Sequence, residues 1–266
     1  MTDLSWVHGL IIDMDGVLWR GRTLLDGVPE LFDHMREHDL KFTLATNNAT
    51  ATPEAFAERL RSGQVEVSTE HIVTSALATS SYLAEHYPNS ANLLVIGDTG
   101  LRSALTDRGF TIVESAEQAE AVVVGMDPTV NWRRLAEATL AIRAGAFFVG
   151  TNPDPSFPNE RGQVPGNGAI LAALEAASGQ TPLVIGKPEP HLYRQAIERM
   201  GTDPEHTLVL GDRLETDIQG GIRLGSPTAL LMTGVTDHAT AKASEIKPTY
   251  IFEDLPELLQ SLKGAG

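Results

Sequence analysis

Short apolar runs alternate along this chain with longer stretches whose apolar positions recur every three or four residues. The runs at 10–13, 41–45, 71–74, 92–96, 121–124, 147–150, 183–185, 207–210, 228–232 and 250–252 predict strands. The stretches at 29–38, 53–62, 76–86, 101–108, 132–144, 169–177, 191–200, 217–224 and 255–262 predict amphipathic helices. Pro53 suits the first turn of its helix, with Thr52 before it as N-cap. In 29–38 the spacing turns Leu31, Phe32 and Met35 to one side. The strands are apolar almost throughout rather than alternating, as expected when both sheet faces are covered. Strand–helix alternation of this kind predicts an α/β fold, a Rossmann-like doubly wound parallel sheet.

The polar residues that interrupt this pattern are not evenly spread. The acidic and basic residues that follow strands directly fall before about residue 50 or after about residue 185. The segment between carries strands and helices enough for a layer of its own. We therefore expect a core made of 1–78 plus 182–266, with an α/β domain inserted at 79–181. Gly179-Gln180-Thr181-Pro182 is the natural return turn.

Composition narrows the setting. The chain has 266 residues, 42% of them apolar, enough for a sizeable core, and no cysteine. Disulfides and thiolate metal sites are thereby excluded. No apolar run approaches the ~20 residues that span a bilayer, and no basic-then-apolar leader opens the chain, so a cytoplasmic protein is expected. The formal net charge is −15. Neither nucleic acid nor an anionic membrane is an expected partner, because both are held through Lys/Arg clusters. An anionic substrate would have to be held by a local cation and a few basic side chains.

Four strand ends carry such chemistry. The first strand runs into Asp13-Met14-Asp15-Gly16. Two carboxylates one residue apart repel each other and are stabilised by a divalent cation between them. In open parallel sheets ligands bind at the carboxyl ends of strands. A hard cation such as Mg²⁺ takes oxygen ligands and keeps water; Asp13 can offer its carboxylate and Asp15 its backbone carbonyl. The strand at 207–210 ends in Gly211-Asp212, with Asp217 five residues on. Asp212 is the expected third metal ligand, and Asp217, at a helix start, is expected behind it. Thr46-Asn47-Asn48 ends the second strand, where a hydroxyl and backbone amides suit phosphoryl oxygens. Lys187 lies between Gly186 and Pro188 in a chain with few lysines; its charge can offset both acids and phosphate. Each motif alone reads equally as a turn or a helix-capping acid. The four together, in this order, point to phosphate chemistry.

The chain resembles the haloacid dehalogenase-like hydrolase superfamily, in its NagD-like or p-nitrophenylphosphatase-like branch. The resemblance rests on Asp13-Met14-Asp15-Gly16-Val17-Leu18-Trp19-Arg20-Gly21, Thr46-Asn47-Asn48, Thr151-Asn152-Pro153-Asp154, Gly186-Lys187-Pro188 and Gly211-Asp212-Arg213-Leu214-Glu215-Thr216-Asp217-Ile218. It implies a Mg²⁺-dependent phosphatase of small phosphomonoesters acting through an aspartyl-phosphate. Sugar phosphates, phosphoglycolate, glycerol phosphate and nucleotides are all compatible, with p-nitrophenyl phosphate as a substrate in vitro. Asp13 would be the nucleophile and Asp15 the general acid and base. Thr46 and Lys187 would join them in catalysis. Gly16, Thr46, Asn47, Asn48 and Lys187 would hold the phosphate, and Asp13, Asp15 and Asp212 the metal. The insertion would be a cap domain that sets specificity, and a homodimer is compatible with the branch. Trp19-Arg20-Gly21 reads either as a flap beside the site or as simple packing.

Two other classes use similar residues. A receiver-like phosphoacceptor signalling protein also gathers Asp, Thr and Lys on a parallel sheet. It is shorter, however, and has no second aspartate two residues after the acceptor. A glycosyltransferase with an Asp-x-Asp metal site would leave Lys187, Asp212 and Asp217 without a role.

Overall fold

The computed structural model describes residues 3–159 and 161–264. The chain forms two compact units. The first comprises Met1–Thr46, Glu54–Val73 and Lys187–Gly266; the second comprises Asn47–Pro53 and Thr74–Gly186. The second unit thus begins five residues before and ends five residues after the expected 79–181 insertion, and it includes a short segment just after the Thr46 strand.

The first unit is built on a parallel six-stranded sheet. Its strands are β1 (Gly9–Ile12), β4 (Lys41–Thr46), β5 (Ile72–Thr74), β13 (Thr207–Gly211), β14 (Thr228–Leu231) and β15 (Tyr250–Phe252), in the order β15-β14-β13-β1-β4-β5. The chain leaves β1 first to one side and later to the other, so β1 and β13 flank the point where strand order reverses. Both are completely buried, which explains their unbroken apolar runs. The helices α1 (Val28–Glu37), α2 (Pro53–Ser62), α7 (Pro190–Met200), α8 (Gln219–Leu224), α9 (His238–Ala243) and α10 (Leu255–Lys263) accompany this sheet. In α1 the buried set includes Leu31, Phe32 and Met35, the side expected from their spacing. A two-strand ribbon, β2 (Trp19–Arg20) with β3 (Thr23–Leu24), follows the first aspartate motif.

The second unit repeats the plan. Strands β6 (Asn92–Ile96), β7 (Thr111–Val113), β8 (Ala121–Val124), β9 (Phe147–Gly150) and β12 (Leu183–Val184) form a parallel sheet in the order β12-β9-β8-β6-β7. Its helices are α3 (Ser75–His86), α4 (Thr99–Thr106), α5 (Trp132–Arg143) and α6 (Asn167–Ser178). Ala138 and Ile142 of α5 pack with Leu171 and Leu174 of α6 over Leu94, Val122 and Val124. The antiparallel hairpin β10 (Ser156–Asn159) and β11 (Gly162–Pro165) precedes α6.

Candidate active site

The register of the central strands determines which side chains meet. Ile12 of β1 lies opposite Leu210 of β13, so Asp13 and Asp212 emerge at the carboxyl ends of neighbouring strands. The Asp13 amide donates to Leu210 O at 2.9 Å, carrying the pairing one residue past the strand. Asp212 is held from the other side. Its Oδ2 accepts the Val235 amide at 2.7 Å, and its carbonyl accepts the Thr236 amide at 3.1 Å.

Two glycines make this closeness possible. Gly16 has φ +85°, a left-handed conformation that penalises side chains, and an added Cβ would lie 2.6 Å from Asp212 Cγ. At Gly211 an added Cβ would lie 2.6 Å from Asp217 Oδ2. The Asp217 side chain folds back over the end of β13 because nothing projects from Gly211.

Lys187 closes the cluster. Its Nζ donates to Asp13 Oδ1 at 2.5 Å and to Asp217 Oδ1 at 2.8 Å, and the residue is only 2% exposed. The other Asp217 oxygen accepts the Arg213 amide at 3.2 Å and the Thr216 hydroxyl at 3.4 Å. Asp217 is thus tied to the cluster through Lys187. Asp13, Asp212 and Asp217 each offer a carboxylate oxygen within 4.8 Å of the others.

The charges do not balance within the protein. Three carboxylates face one ammonium in a buried pocket. Burial first, and then Asp217 and Asp212, push Asp13 well above the usual carboxylate range against the opposing pull of Lys187. Burial, with Asp217 next, raises Asp212 to about 6. Lys187 is pulled down by burial, but the carboxylates of Asp13 and Asp217 outweigh that and hold it well above its ordinary value. Burial and mutual repulsion thus make the ionised carboxylates costly, a cost that protons or a bound cation can offset. Carboxylate oxygens are the ligands a hard divalent cation prefers, so the donor set fits such an ion.

A consequence for stability follows. A carboxyl whose folded pKa exceeds its unfolded one favours the fold when protonated. Below about pH 4 Asp212 is protonated in both states, and above about pH 6 in neither. Its contribution to the metal-free protein therefore falls by about 3 kcal/mol as pH rises through that window. Asp13 acts in the same direction. With EDTA, the protein is expected to melt at a higher temperature at pH 5.5 than at pH 7.5, and Mg²⁺ should raise the melting temperature mainly at pH 7.5. Asp212→Asn should shrink the pH difference. Scanning calorimetry checks this; a pH-independent melting temperature with and without Mg²⁺ would contradict it.

The remaining predicted residues lie nearby in the chain but make different contacts. Asp15 Oδ1 accepts the indole N–H of Trp19 at 2.8 Å, and Trp19 is fully buried. Phe56 stacks on that indole, and the Arg59 guanidinium lies 3.8 Å above it. Trp19 is packed and also holds the Asp15 carboxylate. Gly16 donates to Trp19 O at 2.8 Å and accepts from the Thr233 hydroxyl at 2.6 Å. Thr46, 3% exposed, is the last residue of β4, the other neighbour of β1.

Asn47 and Asn48 belong to the second unit, and their polar groups have structural partners there. Asn47 Nδ2 donates to Asp154 Oδ2 at 3.1 Å, and its carbonyl accepts from Ser75 Oγ and Asn152 Nδ2. Asn48 Oδ1 accepts the Thr50 amide and hydroxyl. Trp19 and the Thr233–Thr236 loop were not visible from the strand-end motifs, because their roles come from contacts of indole or backbone. For Trp19 the sequence offered its place in the first motif, four residues after Asp15, but not the bond its indole makes.

Comparison with known proteins gives the same picture. A model of haloacid dehalogenase-like hydrolases matches residues 10–111, and a HAD-hydrolase-like model matches 184–258. An acid sugar phosphatase of Staphylococcus haemolyticus is 39% identical over 255 residues, 96% of either chain. The chain belongs to the haloacid dehalogenase-like hydrolases. Solved structures place this hydrolase in the NagD-like, p-nitrophenylphosphatase-like branch. A p-nitrophenyl phosphatase from Archaeoglobus fulgidus is 33% identical with a TM-score of 0.91, covering 96% of this chain and 99% of that one. A glycerol phosphate phosphatase from Mycobacterium tuberculosis, in complex with magnesium, is 37% identical with a TM-score of 0.91, covering 99% of this chain and 80% of that one. As a member of this group the hydrolase is a phosphoric monoester hydrolase.

Proposed function

We propose that this phosphatase is Mg²⁺-dependent, hydrolyses small phosphorylated metabolites such as sugar phosphates and glycerol phosphate, and works through an aspartyl-phosphate on Asp13. The single observation that carries the reading is the buried cluster of Asp13, Asp212 and Asp217 around Lys187.

Asp13 attacks phosphorus in line with the leaving oxygen, through the carboxylate oxygen that does not take Lys187. The Lys187 ammonium, 2.5 Å from Asp13 Oδ1, keeps this group anionic once the surplus charge is offset. Asp13 and Asp212, with the Asp15 backbone carbonyl, are the residues that would hold Mg²⁺. When bound, the ion offsets carboxylate charge and stabilises charge on the transferring phosphoryl oxygens. Thr46 and backbone amides at the end of β4 donate to those oxygens. Asp15, fixed through one oxygen by Trp19, delivers a proton to the leaving oxygen and then accepts one from the attacking water. Asp217 anchors Lys187 and serves the site from there.

The second unit is the specificity domain in this reading. A cleft of about 540 Å³ opens within it beyond β6 and β8, lined by residues including Asp98, Arg102, Asp127 and Arg133. Strand order reverses there, as at ligand crevices of open α/β sheets. The receiver-like alternative has no use for Asp15 held as an acid–base group.

The test is phosphate release from a panel of sugar phosphates, glycerol phosphate, nucleoside monophosphates and p-nitrophenyl phosphate, with Mg²⁺ or with EDTA. Release that needs Mg²⁺, and is greatest on a sugar or glycerol phosphate, is the expected result. Equal release in EDTA would overturn the metal assignment. No release from any ester by the folded protein would overturn the substrate class.

A further inference from the structure

Asp217 is positioned by an unusual local fold. Residues Leu214–Ile218 form a π-helical turn, wider than an α-turn, before α8 begins at Gln219. Such turns shift backbone groups away from regular partners and recur at functional sites. Here the turn swings Asp217 back over Gly211 toward Lys187. Something must hold the far side of the turn in place.

That side is met by Tyr193 of α7. The residue is fully buried, and its hydroxyl faces the carbonyls of Thr216 at 3.2 Å and Asp217 at 3.3 Å, donating one proton between them. The ring reaches this point only because residue 220 is glycine; a Cβ there would lie 2.6 Å from the Tyr193 hydroxyl. Packing alone would need a ring but not its oxygen. The hydroxyl lies one residue from the carboxylate that anchors Lys187, and Lys187 in turn lies on Asp13.

We propose that Tyr193 is a positioning residue for the reaction: by holding the Thr216 and Asp217 carbonyls it sets the Asp217 carboxylate, and through it the Lys187 ammonium, against Asp13. This rests on the catalytic reading above. Tyr193 touches neither substrate nor metal in this account. Its effect travels through the turn, so it should appear in turnover and metal requirement rather than in substrate affinity.

The experiment compares Tyr193→Phe with the unaltered protein on p-nitrophenyl phosphate, recording kcat, KM, the Mg²⁺ concentration for half-maximal activity and the melting temperature. The ring is kept and one buried hydrogen bond is lost. The expected kcat falls about tenfold, the scale of one such bond expressed in the transition state. KM should stay within about twofold, and half-saturation by Mg²⁺ should need several-fold more ion. Gly220→Ala, whose Cβ would press on the Tyr193 ring as well as its hydroxyl, should lower both kcat and melting temperature. A kcat and Mg²⁺ requirement unchanged in Tyr193→Phe would overturn the proposal, even with a lowered melting temperature, since that is the mark of a purely structural role. Absence of Mg²⁺-dependent turnover in the unaltered protein would instead overturn the catalytic reading, and is seen before any variant is compared.

Discussion

Asp13→Asn is expected to lose turnover by at least about 10⁴-fold while the protein stays folded. The amide is nearly isosteric but cannot form an acyl-phosphate, so the two-step route through the enzyme closes. The metal-free fold should not suffer. Burial pushes the Asp13 carboxyl upward because its charge is unwelcome beside Asp217 and Asp212, and a neutral side chain relieves that repulsion. The expected pattern is therefore an inactive protein with an equal or higher melting temperature in EDTA, and a smaller gain from Mg²⁺. Steady-state kinetics and calorimetry on one preparation read both quantities. Retained turnover would remove Asp13 from the nucleophile's role. Lost turnover with a much lower melting temperature would make the change a folding defect instead.

Lys187→Met should damage both properties. The ammonium contacts both Asp13 and Asp217, and only 3% of its side chain is exposed. Without it two buried carboxylates lose their partner. Breaking a buried pair in this way costs about 3–5 kcal/mol, because the remaining charge is left uncompensated. Protonation of the carboxyls would recover part of that cost, so the loss should be larger at pH 7.5 than at pH 5.5. Turnover should fall about 10²–10³-fold, the usual scale for one electrostatic contact to a reacting phosphoryl group or its nucleophile. Urea unfolding and kcat at saturating Mg²⁺ measure the two effects. Near-normal values for both would mean that the short contacts of Lys187 are incidental.

The strand-end residues were legible in the sequence because strand ends are. An unbroken apolar run means a strand buried on both faces, as β1 and β13 are, and the residue after it must emerge at the sheet's edge. Asp13 and Asp212 follow β1 and β13 directly and could be placed by that rule; Thr46 ends β4 and Lys187 lies three residues past β12. The bounds of α2, Pro53–Ser62, also followed from spacing, whereas α4 and α6 each begin two residues before their expected starts.

What was missed has identifiable causes. The helix expected from 217 begins as an α-helix only at Gln219, because the preceding turn is π-helical. No simple period signals such a turn, and so the contact of Asp217 with Lys187 was not foreseen. The hairpin of β10 and β11 was hidden by a Pro- and Asn-rich stretch that reads as turn. The strands β2, β3 and β7 are only two or three residues long, and α9 has just six residues, too few for periodicity to show. Trp19 was read only as flap or packing, and Tyr193 carried no signal of its own. Their polar ends matter through partners four and more than twenty residues away, and that information lies in the fold rather than in any local pattern.

The most direct test of the account is to trap the covalent intermediate. Asp15→Asn should still form it from p-nitrophenyl phosphate, whose leaving group departs without a proton, but should hydrolyse it slowly for want of a base. After an acid quench during turnover with Mg²⁺, peptide mass spectrometry is predicted to find one phosphoryl group on Asp13 in this variant, and none in Asp13→Asn. A phosphoryl group on another residue, or nitrophenolate released in steady turnover with Asp13 never modified, would contradict the account.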